Sequence, residues 1–441
     1  MRLIEFALKT GRKRRSNGLP DRLCSCSTTH KEGSDSIVIW PYRRVARKMK
    51  ILIVHNAYQE VGGEDIVFEQ ERRLLARNGH QVVTYERSNH ELEAYSKLQR
   101  IGMLKQIISA KDSKLEILEI LRTVRPDLAH VHNTFMMISP SVYEVCKEEG
   151  VPVIQTLHNY RLLCPAAILY RNGHVCEECC EHGLLRSICH GCYRHSRAAT
   201  AAVALMLQVH RTQRTWQDSV NGYVALTEFA RQKFIEGGLP SSKIHVKPNF
   251  VYPDPGERST AGDYALFAGR LAEGKGVSTL LAAWNLLPRS IPLLVIGEGP
   301  LRAQLEAEAQ RKNMQRVRFR GRLDVTETRA AMKKAAFLIV PSVWYETFSL
   351  NIAEAFACGT PVLCSRLGAM QENVDDHRTG LHFTAGDAED LARIVDWAWT
   401  HPTELASMGR EARREYENRF TPEKNYTRLM EIYQHTVNAG A

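Results

Sequence analysis

Short apolar runs recur along the chain and alternate with longer segments whose apolar positions repeat at helical spacing. From Met49 onward the runs are Ile51–Val54, Gln81–Tyr85, Leu128–Val131, Val153–Leu157 and Gly222–Leu226. Between the first two, Asp65 to Asn78 carries an amphipathic helical pattern closed by Gly79. A polar bridge, Phe250 to Asp263, breaks the alternation. It restarts with Ala265–Ala268, Leu293–Ile296, Val317–Phe319, Phe337–Val340 and Val362–Leu363. Strands alternating with helices predict parallel sheets joined by right-handed crossovers. The chain therefore reads as α/β, with two Rossmann-like domains facing across a cleft. They span residues 49–248 and 264–441, joined by a linker at 249–263. No run of eighteen apolar residues occurs, so no bilayer span is expected. The longest candidate, Ala198 to Val209, is followed by Arg211 and Arg214 and reads as a buried or interfacial helix.

Open α/β sheets bind ligands beyond the carboxyl ends of their strands, and the candidate chemistry falls there. Gly269-Arg270 follows one strand, Gly297-Glu298-Gly299 the next, and Glu346 a third. Glu354 lies eight residues beyond Glu346, inside the helix that follows. Eight helical residues span about 12 Å, too far for both carboxylates to act on one bond. That separation suits an extended ligand with hydroxyls at both ends and an anion between. The intervening helix N-terminus offers the anion its backbone N–H groups and positive dipole. A sugar nucleotide has this shape.

In the first half, Val61-Gly62-Gly63 follows the first strand and opens a helix, where glycines permit close approach to phosphate or sugar. Glu64 and Asp65 read as helix caps with no other duty. His130 and His132 share one strand face, and His158-Asn159 ends the next strand. Both strand ends deliver His-Asn toward one cleft.

The stretch Tyr345 to Pro361, with Pro341-Ser-Val-Trp-Tyr345 and Phe267 to Val277 around Arg270 and Lys275, resembles the E-x7-E signature of the retaining GT-B glycosyltransferases of family 4. The resemblance implies that Glu346 contacts the donor sugar, Glu354 the ribose, and Arg270 and Lys275 the diphosphate. Gly297, Glu298, Ser349 and Leu350 complete the donor site. His158 resembles the family histidine near the transferred sugar, while Gly62, Gly63 and His132 belong to the acceptor and phosphate loop. A helix near the C-terminus is expected to return to the first domain. Serine at 349 departs from the usual glycine, which bears on sugar preference. The implied activity is metal-independent transfer, with retention, of a sugar from a nucleoside diphosphate to a glycan or lipid-linked acceptor. Relatives of this type commonly assemble bacterial surface or exported polysaccharide. The implied location is cytoplasmic, with peripheral contact on the inner face of the membrane. The rivals are a nucleotide-sugar 2-epimerase of the same fold and a non-catalytic sugar- or nucleotide-binding assembly protein.

The net charge of +10 changes this picture little once located. Residues 1–48 hold twelve Lys/Arg against four Asp/Glu, leaving 47 against 45 for the rest. The folded body therefore lacks the basic character of a nucleic-acid binder. That basic leader has no apolar run of the signal-peptide kind. Met49 is the expected natural start, with residues 1–48 an overextended frame or a disordered tail; a basic arm on anionic lipid is the rival. No D-x-D occurs, so no cofactor is expected to be required for catalysis. Five of eleven cysteines fall between Cys176 and Cys192, in an insertion over 164–195. The pairs Cys176-x2-Cys179 and Cys189-x2-Cys192 have the spacing of a structural zinc site. Reduced cytosolic thiols are the alternative.

Overall fold

The computed structural model describes residues 48–60 and 62–440; apart from Lys48, the expectations for residues 1–48 lie outside them. Six parallel strands form the first sheet: β1 (Lys50–Ala57), β2 (Gln81–Ser88), β3 (Leu128–Asn133), β4 (Val153–Thr156), β7 (Gly222–Ala225) and β8 (Ile244–Val246). An antiparallel hairpin of β5 (Tyr170–Arg171) and β6 (His174–Val175) lies within the cysteine-rich insertion. The second sheet holds β9 (Tyr264–Ala268), β10 (Leu293–Ile296), β11 (Val317–Gly321), β12 (Ala335–Val340), β13 (Val362–Ser365) and β14 (Gly380–Phe383).

The orders are β2-β1-β3-β4-β7-β8 and β11-β10-β9-β12-β13-β14. Strand order reverses beside β1 and β3 in one sheet, and beside β9 and β12 in the other. Those switch points open crevices at the strand ends: Gly62, Arg270 and Glu346 follow β1, β9 and β12, and His132 lies near the end of β3. All ten strands read from the apolar pattern are present. Strands β8 and β14 and the hairpin were not anticipated, being only two to four residues long. A period-two pattern cannot declare itself in so few positions.

Central strands are buried throughout, as parallel sheets covered on both faces require. The helix Pro422–Gly440 crosses back to the first sheet. There Tyr433 Oη pairs with His130 Nδ1 at 2.7 Å, Tyr426 Oη with His80 Nε2 at 2.8 Å, and Asn425 donates to the Pro248 carbonyl at 2.7 Å. Beneath it, Lys247 and Glu71 form an ion pair with both side chains fully buried.

Burial, with Lys247 adding to it and Glu71 opposing, pushes the His130 imidazole down to about 4. His132 and His158 move the same way, again chiefly through burial. The unfolded chain protonates these rings near 6.5. As pH falls from about 6.5 toward 4, the unfolded state takes up protons that the folded state refuses, so stability falls. The unfolding midpoint should drop steadily below about pH 6.5, the three rings outweighing the buried Glu64 carboxyl, which is pushed up to about 8 and works the other way. Scanning fluorimetry across this range checks it; a midpoint unchanged down to pH 5 contradicts it.

Candidate active site

The second domain supplies the charged wall of the cleft. Glu346 follows β12, and its Oε1 accepts from Lys275 Nζ at 2.7 Å, Trp344 Nε1 at 2.8 Å and Ser342 Oγ at 2.9 Å. Burial works to raise this carboxyl, but the Lys275 charge and these hydrogen bonds overcome it and hold Glu346 below the ordinary carboxylate range. Arg270 stands at the end of β9, more than half exposed, with Glu60 of the first domain at 3.3 Å. Gly297, after β10, has φ +142°, and a Cβ there would lie 1.8 Å from the Gly269 carbonyl oxygen. Only glycine lets these two turns close on each other. Glu298 next to it is ion-paired to Arg302.

Ser349 precedes the helix Leu350–Ala357 and makes no side-chain cap bond; its carbonyl takes the Ile352 N–H at 3.1 Å, which leaves the N–H groups of Leu350 and Asn351 to the cavity. Its φ of −92° and ψ of 102° are open to any residue, so serine in place of glycine brings no backbone strain. Glu354, inside this helix, accepts at Oε1 from Arg329 Nε at 3.1 Å and Nη2 at 3.0 Å. Burial raises its carboxyl in spite of that cation. Nothing in the spacing of Arg329 and Glu354 announces this pair, because it joins two helices 25 residues apart.

Opposite stand the ends of β1, β3 and β4. Gly62 and Gly63 open the helix Gly63–Arg77, and Asp65 caps it by accepting from the Gly62 N–H at 2.7 Å. Asp65 also pairs with His55 Nε2 at 2.8 Å. The cap reading therefore fits Asp65 but not Glu64. Glu64 accepts from Asn159 Nδ2 at 3.1 Å through Oε2, while its buried Oε1 has no partner. Burial, with Asp65 adding to it, pushes Glu64 up to about 8. A buried carboxyl with a vacant oxygen in a cleft is a functional candidate, and it was hidden in the sequence behind an ordinary helix start. His158 Nε2 lies 2.9 Å from His132 Nδ1.

The two walls meet. Thr347 Oγ1 donates to the His158 carbonyl at 2.7 Å, and Tyr160 Oη to the Glu346 carbonyl at 3.3 Å. Between them lies a cavity of about 640 Å³. Gly62, Gly63, His158, Arg270, Lys275, Gly297, Glu298, Glu346, Ser349, Leu350 and Glu354 all line it. His132 stands behind His158 in the wall. The volume and the mixture of charged and apolar surface suit a ligand of nucleotide-sugar size.

The zinc ligands expected at Cys176, Cys179, Cys189 and Cys192 are not brought together. Among the described residues, no three cysteine sulfurs lie within 4.8 Å of one another. Cys179 is buried, Cys176 and Cys192 are half-buried, and Cys189 is exposed. Spacing placed the pairs on one insertion but carries no information on where the short helices Glu178–Glu181 and Leu185–His190 turn. The groups that do converge within 4.8 Å are Glu71, His130 and His132, and both nitrogens of His130 are already engaged by Tyr433 and Thr156.

Two Rossmann-like domains lining a cleft with their strand ends define a GT-B protein. The model for Glycosyltransferase Family 4 matches residues 61–254, and that for Glycosyl transferases group 1 matches 254–415. The chain belongs to this glycosyltransferase family. It is 30% identical over 160 residues to the D-rhamnosyltransferase WbpZ of Pseudomonas aeruginosa, covering 36% of this chain and 42% of that protein. With glycogen synthase of Mycobacterium tuberculosis it shares 27% identity, over 71% of this chain and 69% of the relative. With the D-inositol 3-phosphate glycosyltransferase of an Arthrobacter species it shares 25%, over 83% and 90%. The fold is also that of sucrose-phosphate synthase from Thermosynechococcus elongatus (TM-score 0.68, 18% identity, 89% of this chain and 100% of that one). It matches Anabaena Alr3699/HepE in complex with UDP as well (TM-score 0.62, 17% identity, 88% and 100%). Among the described residues no helix is long and apolar enough to cross a membrane.

Proposed function

We propose that the protein transfers a sugar from a nucleoside diphosphate to a hydroxyl of a glycan or lipid-linked acceptor, with retention at the anomeric carbon. The observation that carries this reading is one cavity bounded by Lys275, Glu346 and a helix N-terminus on one side and by His158 and Gly62-Gly63 on the other. Arg270, Lys275 and the N–H groups after Ser349 are set to stabilise the diphosphate as it departs. Glu354, held by Arg329, is set to take the ribose hydroxyls. Glu346 and His158 orient the sugar. The C1–O bond to phosphate breaks as the acceptor oxygen bonds to C1 from the same face. The acceptor proton passes to the departing phosphate oxygen, so no separate base is needed. Glu64, with its vacant oxygen, is placed to receive an acceptor hydroxyl.

The reaction needs no metal ion on this reading. Work on surface or exported polysaccharide is the proposed setting, a reading supported by similarity to the O-antigen chain mannosyltransferase C of Escherichia coli; the proposed location is the cytoplasmic face of a membrane. The test is to incubate the protein with UDP-, GDP- and ADP-sugars and methyl glycosides in EDTA, and to read the anomeric configuration of product by NMR. Retained configuration from one nucleotide class is expected. Inverted product, or a strict need for added metal, overturns the mechanism.

A further inference from the structure

Behind the cleft lies a line of buried polar groups that the transfer reaction does not itself call for. It begins at the Lys247–Glu71 ion pair, both side chains at 0% exposure. Glu71 Oε1 takes the lysine, while Oε2 faces His132 Nε2 at 3.6 Å, and neither of these two atoms has a hydrogen-bond partner. His132 Nδ1 in turn meets His158 Nε2 at 2.9 Å, and the rings stack with centroids 5.1 Å apart. His158 lines the cavity.

We infer that Glu71 and His132 are positioning residues that fix the tautomer of His158. A neutral imidazole carries one N–H and one acceptor nitrogen. The carboxylate of Glu71 favours the proton of His132 on Nε2, since a lone pair there would face its negative oxygen. His132 Nδ1 is then an acceptor, and His158 must donate to it from Nε2. That leaves His158 Nδ1 without a hydrogen, as a hydrogen-bond acceptor for a hydroxyl in the cleft. Burial keeps both rings neutral, so each carries a single N–H. Lys247 engages Glu71 Oε1, which leaves Oε2 turned toward His132. The consequence for turnover rests on the transferase reading above; the tautomer itself does not.

The test uses the whole protein labelled with 15N-histidine. Long-range 15N–1H correlation spectra are to be assigned with His158→Gln. Wild-type His158 is expected to carry its proton on Nε2 alone. The variant Glu71→Gln/Lys247→Met removes both charges together, avoiding a stranded buried ion. Its amide satisfies either tautomer of His132, so His158 should populate both tautomers. Turnover of whichever nucleotide sugar the wild type accepts should then fall by about 10²-fold, with donor KM moving less than about twofold. Wild-type His158 protonated on Nδ1 overturns the inference. So does a variant that keeps the single Nε2–H tautomer, or one whose tautomers mix while turnover is unchanged. A wild type that accepts no nucleotide sugar refutes the transferase reading and leaves the tautomer measurement standing.

Discussion

Lys275→Ala is expected to lower turnover of a nucleoside diphosphate sugar by about 10²- to 10³-fold, the largest effect of any single substitution in the cleft. Two losses combine. The ammonium at 2.7 Å from Glu346 is removed, and on the proposed reaction this is where diphosphate charge develops. Glu346 itself then keeps its burial and loses the cation that offsets it, so its carboxyl rises toward protonation. The pH profile should report the second loss, with activity of the variant recovering as pH increases and Glu346 ionises again. Steady-state rates of wild type and variant between about pH 5 and 9 check both points. A variant with wild-type turnover, or a reduced one with an unshifted profile, contradicts the coupling of Lys275 to Glu346.

Removing Glu71 alone is expected to have the largest effect on stability. Glu71→Ala strands Lys247 in a fully buried site, and breaking a buried pair in this way costs about 3–5 kcal/mol. The unfolding midpoint should fall by many degrees. Replacing both partners by leucine removes the stranded charge and should recover most of the loss. Thermal unfolding of the single and double variants decides it. A Glu71→Ala midpoint within about a degree of wild type, well under the shift expected for even 1 kcal/mol, contradicts the account of this pair.

The sheets and the second-domain site were legible because each rests on a local signal. Apolar runs such as Phe337–Val340 declare a buried strand, and Glu346 after it must stand at that strand's end. The position of Arg270 and Gly297 follows from the same rule. What escaped depends on contacts between distant segments. Arg329 reaches Glu354 from another helix, and Lys247 reaches Glu71 across 176 residues. No spacing rule encodes either. Glu64 was misread for a different reason: it shares a helix start with Asp65, and only burial separates the capping carboxylate from the vacant one. The cysteine pairs share one insertion, but their spacing does not fix the fold of the loop between them, and no three of their sulfurs lie within 4.8 Å.

Isothermal titration with UDP-, GDP- and ADP-sugars in EDTA, on wild type and Glu354→Ala, tests the donor site most directly. The account predicts that one nucleotide class binds wild type without metal and that Glu354→Ala weakens that binding about tenfold or more, the worth of a charged hydrogen bond. Binding that is absent from well-folded wild type, or unaffected by loss of Glu354, would contradict it.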